Sequence, residues 1–316
     1  MKTCKPCIRP SAGLTIITLV LLLSVRAHLC AQDYLQPQNK VWVFGNHNSW
    51  DFNQPGAPQI SDNAMPVFSN LDLFSNTTAC VSGADGNLLF YTEGNKVWNR
   101  NHQLMPNGTN LAGAGTAPVG RWPVIVPEPG SAYRYYIFYT AVSGMGGNLA
   151  CRQINNLYYS IIDMRLQQGS GDVVGGSKCI KLDTMIAECS IAAVAGNNCN
   201  LWLVTHALNK NVYSSWNITK DGISSAPVNS QVGDTVLTIP GFAPASVSDC
   251  TTESNWSDND VCTRSWFWIS STLHFSSDRQ RLILTAIMPN PEGSFIEYAD
   301  FNPSTGVVTN STSVYY

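Results

Sequence analysis

A short strand motif recurs four times along this chain and constrains its fold more than any other feature. Each copy is a run rich in aromatic and aliphatic residues, and a polar turn precedes it. The four runs are Leu88–Tyr91, Tyr135–Phe138, Leu201–Val204 and Leu282–Thr285. Repeated units of this size indicate a chain built from similar copies, each of which must pack against a neighbour to bury its apolar faces.

Each of the four units is expected to contain three strands. The expected strands are residues 79–82, 88–92 and 96–99; 123–126, 133–140 and 157–163; 190–194, 201–205 and 212–218; and 273–275, 281–286 and 295–301. A further strand at 40–44, together with the segment 236–247, raises the count to five units. One short helical turn is expected around 183–188, and no other segment has sustained helical periodicity after the N-terminal region.

These meanders predict an all-β fold, a β-propeller or partial propeller of repeated three- to four-stranded meanders. In a propeller each sheet buries both faces against its neighbours, so its middle strands are continuously apolar. A pair of β-sandwiches is the alternative, and its strands should alternate more cleanly between apolar and polar residues. Four or five units leave two outcomes open, which are a closed ring and an incomplete one.

The N-terminus has the pattern of a secretory signal peptide over residues 1–31. Lys2, Lys5 and Arg9 precede an apolar stretch at 14–25, and cleavage is expected after Ala31. The mature propeller-like domain is then 32–316. An uncleaved membrane anchor is the alternative, although a span needs about 20 apolar residues. A lipoprotein attachment site at Cys30 is a second and weaker alternative to a cleaved signal peptide. No later segment is apolar enough to cross a bilayer, so the protein is expected to be secreted or displayed at the outer cell surface.

Composition excludes one class of partner. The chain has 316 residues, of which only 12% are charged, and its formal net charge is −3. Nucleic-acid binding requires a basic surface, so no nucleic-acid partner is expected. The abundant polar, uncharged residues fit a β-rich extracellular surface, and the expected partner is an extracellular glycan or protein.

Seven cysteines follow the signal segment, and in an oxidising compartment they are disulfide candidates. Cys250 with Cys262 is the first expected pair, because the two enclose a polar loop. Cys189 with Cys199 is the second, as a bridge closing a hairpin, and Cys151 with Cys179 is the third. Cys80 is left over as a buried thiol.

Several short motifs of this sequence together resemble those of one protein family. They include Trp42–Gly45 with Asp51–Asn53, the continuous stretch Gly86–Gly108, and Trp202–His206. With them the chain resembles the N-terminal propeller-like region of large Bacteroidetes surface proteins, those called gliding-motility-associated and exported by type IX secretion. The resemblance implies a surface scaffold or adhesin-like module, and it brings no catalytic residues with it.

Aromatic and histidine side chains are the candidate ligand-binding residues. Trp50, Trp122 and Trp256 are expected in loops, where aromatic rings can stack on sugars. His47, His102 and His206 are the histidine candidates, with a hydrogen-bonded structural role as the alternative for His102 and His206. A weak Ca²⁺ site is considered at Asp258 and Asp260, where oxygen ligands cluster, against a solvated loop. No other cofactor is expected.

Three functions remain open. The first is a non-catalytic binding or adhesion module that recognises glycan or protein through propeller loops. The second is a propeller-type polysaccharide hydrolase or lyase, which would need His47, Asp51, His102 and His206 to converge. The third is a structural fragment completed by a partner chain, which would form an oligomer because its own ring is incomplete.

Overall fold

Antiparallel β-strands joined by turns make up the part of the protein that the structure describes, as the sequence predicts. The computed structural model describes residues 39–44, 48–53, 55–61, 78–111, 121–142, 155–236, 270–287 and 294–315. All of them belong to one compact unit, Leu35–Tyr316. The expected signal segment 1–31 lies outside the described residues.

The described residues form nineteen strands and one short 3-10 turn, Gln167–Gly169. The strands are β1 Val41–Phe44, β2 Asn48–Asp51, β3 Gln59–Ser61, β4 Ala79–Ser82, β5 Leu88–Thr92, β6 Val97–Asn99, β7 Arg121–Pro127, β8 Arg134–Val142, β9 Asn155–Asp163, β10 Asp172–Val173, β11 Ile180–Ala195, β12 Leu201–Ala207, β13 Val212–Thr219, β14 Gly222–Ile223, β15 Val228–Gln231, β16 Ser270–Phe275, β17 Arg281–Ile287, β18 Phe295–Phe301 and β19 Val308–Tyr315.

The strands pair into four antiparallel sheets. The first sheet has the order β1-β2-β3, the second β4-β5-β6, and the last β16-β17-β18-β19. The remaining sheet has nine strands along the path β14-β13-β12-β11-β9-β8-β7, with β10 and β15 beside it. Every pairing is antiparallel between strands close in sequence, which is the pattern of meanders joined by tight turns.

The nine-stranded sheet is two meanders that share one long strand, β11. Ile180 to Ile186 pair with β9, whereas Ile186 and the segment Ile191 to Ala195 pair with β12. The register shifts between these halves, and Met185 beside the shift has a left-handed backbone with φ of 58°. Such an irregularity bends a strand, so one strand serves two successive units. The described part of the chain therefore contains five meanders.

Neighbouring sheets pack face to face in chain order. Val41 and Val43 of the first sheet pack against Tyr91 and Trp98 of the second. Phe90, on the opposite face of β5, belongs to a cluster with Tyr135, Ile137 and Tyr139 of β8. Phe90 and Tyr91 are adjacent and both are fully buried, so the second sheet buries both faces. This explains why its middle strand is continuously apolar.

Among the residues that the structure describes, the last sheet packs against its neighbours through one face. Its inner residues include Leu282, Leu284 and Phe295, which form a core with Trp202 and Val204 of β12. The opposite face of the same strands carries exposed apolar residues, namely Ile283, Ile287, Ile296, Tyr298 and Val314. Strand β17 accordingly alternates between buried and exposed residues.

Two sequence expectations about local structure are wrong. The helical turn expected around 183–188 is part of β11, because pairing with β9 on one edge outweighs weak local preference. Trp50, expected in a loop, lies in β2, which pairs with β1 and β3. This segment has a largely polar sequence, and its hydrogen bonds to β1 and β3 stabilise it as a strand.

Two of the expected disulfides are also wrong. Cys179 is a free thiol, so it does not pair with Cys151. Cys199 lies in the turn between β11 and β12. Cys189 lies on β11 two residues before Ile191, on the side away from that turn. The four steps along the extended strand from Ile191 to Ala195 already separate that position from the turn by about 13 Å. A disulfide requires Cα atoms within about 7 Å, so this pairing does not form.

The other cysteine expectations have mixed outcomes. Cys199 is disulfide-bonded, and its partner sulfur lies outside the described side chains. Cys80 is a free thiol, as predicted, and burial raises the pKa of its thiol group. Its sulfur donates to the carbonyl of Val41 at 3.1 Å. Cys151, Cys250 and Cys262 lie outside the described residues, and the pairing of the last two stays a prediction.

Candidate functional site

An exposed group of aromatic rings covers the outer face of the first sheet. It consists of Trp42, Phe44, Trp50 and Phe52, and we call it the aromatic face. Trp42, Phe44 and Trp50 are 46%, 40% and 38% exposed. Side chains alternate along a strand, so Trp42 and Phe44 point outward while Val41 and Val43 point into the core.

The four rings contact one another around a closed loop. Ring centroids lie 6.2 Å apart for Trp42–Phe44, 5.3 Å for Phe44–Trp50, 6.3 Å for Trp50–Phe52 and 5.0 Å for Phe52–Trp42. Interplanar angles of 55–70° make these edge-to-face or tilted contacts, an arrangement that the aromatic quadrupole favours. The rings hold each other in place and leave part of their faces open to solvent.

Backbone pairing and buried contacts fix the sheet beneath the rings. Trp42 lies directly opposite Trp50 in the β1–β2 register. The Trp42 indole N–H donates to the carbonyl of Asn39 at 2.9 Å. The Asn53 amide donates to the carbonyl of Gly86 at 3.0 Å, which ties the end of this segment to the second sheet. The aromatic face is therefore held from several sides.

One polar and one apolar side chain border the aromatic face. Asn48 is exposed and lies opposite Phe44 in the β1–β2 register. Asp51 lies opposite Val41 on the other face of the sheet, and its carboxylate accepts the backbone N–H of Asn53 at 2.8 Å. Ile60 of β3 is exposed and lies opposite Trp50 in register. An apolar platform beside hydrogen-bonding groups can take a ligand with C–H faces and hydroxyl edges.

The structure does not bring His102 and His206 together. His102 lies in the turn after β6, and its Nδ1 is 3.2 Å from the Tyr91 hydroxyl. Partial burial lowers the pKa of His102. His206 on β12 is fully buried, with its ring edge-to-face against Tyr213 at 4.7 Å. Tyr91 belongs to the core of the first two sheets and Tyr213 to the core against the last sheet, so the convergence that an enzyme would need is not present for this pair.

The remaining predicted side chains lie outside the part of the chain that the structure describes. Trp122 lies in β7 rather than a loop, and its side chain is outside the described part. His47, Trp256, Asp258 and Asp260 lie outside the described residues. Among the residues that the structure does describe, no three His, Cys, Asp or Glu side chains cluster closely enough to hold a metal ion.

Sequence reasoning selected Trp50 and missed its three companions. Trp42 and Phe44 alternate with Val41 and Val43, so both faces of β1 are apolar and the sequence does not reveal which face is covered. Phe52 follows the strand and completes the group through its ring contacts. The available signal was the pair of aromatic residues two apart in each segment, Trp42 with Phe44 and Trp50 with Phe52.

Comparison with known proteins provides no family for this chain. No family model matches it, and no curated protein does. Among solved structures, one neighbour is an exo-β-1,3-galactanase from Phanerochaete chrysosporium crystallised with β-1,3-galactotriose. The match has a TM-score of 0.34 and 8% identity, and it covers 64% of this chain and 38% of the galactanase chain. A likeness of this size says nothing specific about this protein.

A search for membrane-crossing helices gives a negative result. Within the ranges that the structure describes, no helix combines the length and apolarity that a span requires.

Proposed function

We propose that this chain is a secreted or cell-surface module that binds glycans, without catalysis, through the aromatic face. The observation that carries the proposal is the group of four mutually contacting rings, three of them with 38–46% exposure. Soluble proteins expose single apolar residues routinely, but a contiguous exposed patch marks a binding surface. A pyranose ring presents C–H groups on its faces, and these pack on the negative face of an aromatic ring.

The size of the patch favours a short oligosaccharide over a protein partner. A stable protein interface involves about 20–30 residues on each side, and the aromatic face is four residues with a polar border. The amide of Asn48, which is exposed on the same face opposite Phe44, suits the hydroxyl groups of a sugar. Tilted neighbouring rings present faces in more than one direction, which suits successive sugar units of a bent chain.

A double substitution tests this function. Trp42→Ala with Trp50→Ala should weaken binding to the glycan selected by the wild-type protein about 30-fold, since each stacked ring contributes about 1 kcal/mol. Isothermal titration with the best oligosaccharide from a glycan array measures the change. Tyr298→Ala is the matched control, because Tyr298 is 47% exposed on the last sheet.

Two results would count against the aromatic face as the site. The first is equal loss of affinity in the double variant and in Tyr298→Ala. The second is unchanged affinity in the double variant. Both tryptophans are partly exposed, so thermal unfolding of the variants should show that each still folds.

We also propose that the five meanders are blades of a propeller-like arrangement. Support comes from successive face-to-face packing and from β11, which links two units through one continuous strand. Secretion, and membership of the gliding-motility-associated surface proteins that the sequence resembles, are part of the same proposal. Both fit a glycan-binding role outside the cell.

A further inference from the structure

A surface cavity of about 350 Å³ lies at the turn between β7 and β8, and none of its lining residues belongs to the aromatic face. It is lined by Glu128 through Arg134 together with Arg165 and Lys220. These residues come from three turns that are distant in sequence. Ligand cavities begin at about 300 Å³, so this one is large enough for a single small unit such as one sugar ring.

Three cationic side chains line the cavity against one carboxylate. The cations are Arg134, Arg165 and Lys220, and the carboxylate is Glu128. Glu128 is buried, and both of its carboxylate oxygens have partners. Its Oε2 lies 3.1 Å from Arg134 Nη1, and its Oε1 accepts a hydrogen bond from the Tyr136 hydroxyl at 3.3 Å. The lining therefore has an excess of positive charge.

Arg165 and Lys220 have carboxylate partners outside the lining and keep donors free. Asp163 accepts two hydrogen bonds from the Arg165 guanidinium, at 3.0 and 2.6 Å, and Asp221 accepts one from Lys220 at 2.7 Å. A guanidinium has five N–H donors and an ammonium has three. Each cation can thus hold its partner and donate to a second acceptor in the cavity.

The floor of the cavity is preorganised by a tight turn. Ser131 N–H donates to the Glu128 carbonyl at 3.0 Å, and Gly130 between them has φ of +80°. The Ser131 hydroxyl accepts the backbone N–H groups of Tyr133 and Arg134 at 3.2 and 3.1 Å. A side chain at Gly130 would come within 3.1 Å of Lys220 Cβ, so the turn packs closely on Lys220.

An exposed aromatic ring stands beside the cations. Tyr133 is 53% exposed, and the Arg165 guanidinium lies 5.6 Å from the centre of its ring, a cation–π contact. The contact positions Arg165 and leaves much of the ring in solvent. The cavity thus combines an aromatic surface with cationic hydrogen-bond donors.

We propose that this cavity binds the carboxylate of a uronic acid unit, so that the protein selects acidic glycans. The inference rests on the proposed glycan function and adds its specificity. A carboxylate matches the planar donor fork of arginine, Lys220 adds a second positive charge, and Tyr133 offers a surface for the sugar ring. The two sites have different roles: the aromatic face binds sugar rings, and the cavity recognises the carboxylate of an acidic unit.

The test compares one oligosaccharide with and without its charges. Titrations use trigalacturonate and its fully methyl-esterified form, which keeps the sugar rings and removes the negative charges. The wild-type protein should bind the acid about tenfold more tightly, because the cavity supplies two exposed ion pairs and each contributes only a few-fold in affinity. The preference should shrink as salt is raised.

Substitutions connect that preference to the cavity. Arg165→Gln with Lys220→Gln should abolish the preference, so that this variant binds the acid and the ester with equal affinity. Both residues are exposed, so the variant should fold. Lys210→Gln is the matched control, as it removes an exposed lysine that does not line the cavity and should keep the preference.

Each failure identifies which proposal is wrong. Equal binding of acid and ester by the wild type overturns the uronate site, and so does a preference that survives in Arg165→Gln with Lys220→Gln. Neither result contradicts the proposal that the aromatic face binds glycans. A preference that persists while Trp42→Ala with Trp50→Ala binds normally supports the cavity and overturns the aromatic face. Binding of neither form overturns the uronate site.

Discussion

Replacing Glu297 by alanine is expected to lower the free energy of unfolding by about 3–5 kcal/mol. Glu297 lies on β18, is fully buried between the last sheet and the sheet containing β13, and accepts three hydrogen bonds. The donors are the Tyr213 hydroxyl at 2.5 Å, the Asp234 backbone N–H at 2.6 Å and the Ser313 hydroxyl at 3.2 Å. The substitution leaves buried donors without an acceptor and opens a cavity.

The surroundings of Glu297 leave little room for compensation. Gly233 has φ of +86°, and a side chain there would meet the Glu297 carboxylate at 2.3 Å. The loop before Asp234 is therefore shaped around this carboxylate. Burial raises the pKa of Glu297, and the same burial excludes the water that could otherwise satisfy the Tyr213 hydroxyl.

Urea unfolding of three variants measures the effect. Glu297→Gln keeps the size of the side chain and one acceptor, so it should cost less than Glu297→Ala. Ser313→Ala removes the outermost of the three donors and should cost no more than about 1 kcal/mol. If Glu297→Ala unfolds at the same urea concentration as Ser313→Ala, the carboxylate does not hold these sheets together.

Acidification is expected to destabilise the protein through His206. Its ring is fully buried, and within the described part of the chain neither ring nitrogen has a hydrogen-bond partner. Burial lowers the pKa of His206 to about 4 from 6.5, and the nearby backbone and carboxylate of Asp234 oppose this only weakly. Tyr213 packs on the ring, and Glu297 accepts a hydrogen bond from Tyr213.

The sign follows from proton binding in the two states. Between pH 6.5 and 4 the unfolded chain binds a proton at His206 and the folded chain does not, so stability falls as pH drops through this window. A shift of this size corresponds to about 3 kcal/mol. Glu297 acts in the opposite direction, because its raised pKa means that the folded protein takes up a proton more readily there.

Comparison with His206→Phe isolates the histidine. Phenylalanine keeps an aromatic ring against Tyr213 and cannot be protonated. Between pH 7 and pH 4 the variant should gain about 3 kcal/mol in stability relative to the wild type. Parallel pH profiles of the two proteins in urea unfolding would show that His206 is not held neutral by the fold.

Most strands could be predicted from the sequence, because each is a run of apolar residues between turn signals. The middle strands expected at 88–92 and 201–205 were confirmed, and the second extends to Ala207. The double role of β11 could not be predicted, since it depends on partners at both edges and on an irregularity near Met185. Strand β19 was missed because Val308–Tyr315 is largely polar and exposed and depends on pairing with β18.

The candidate sites were less predictable than the fold. Trp50 was identified as a ligand-binding residue, but the exposure of Trp42 and Phe44 depends on which face of β1 the second sheet covers. The cavity brings together Arg134, Arg165 and Lys220, which only the packing of three turns makes neighbours. His206 was considered as a ligand-binding residue and is instead buried, because its strand has a neighbouring sheet on that face.

Hydroxyl-radical footprinting with and without bound oligosaccharide tests the central claim most directly. Oxidation of Trp42 and Trp50 is measured by mass spectrometry, and Tyr298, of similar exposure on the last sheet, serves as the internal reference. The account predicts that saturating glycan slows oxidation of both tryptophans and leaves Tyr298 unchanged. Unchanged oxidation of Trp42 and Trp50 while the glycan is bound would contradict it.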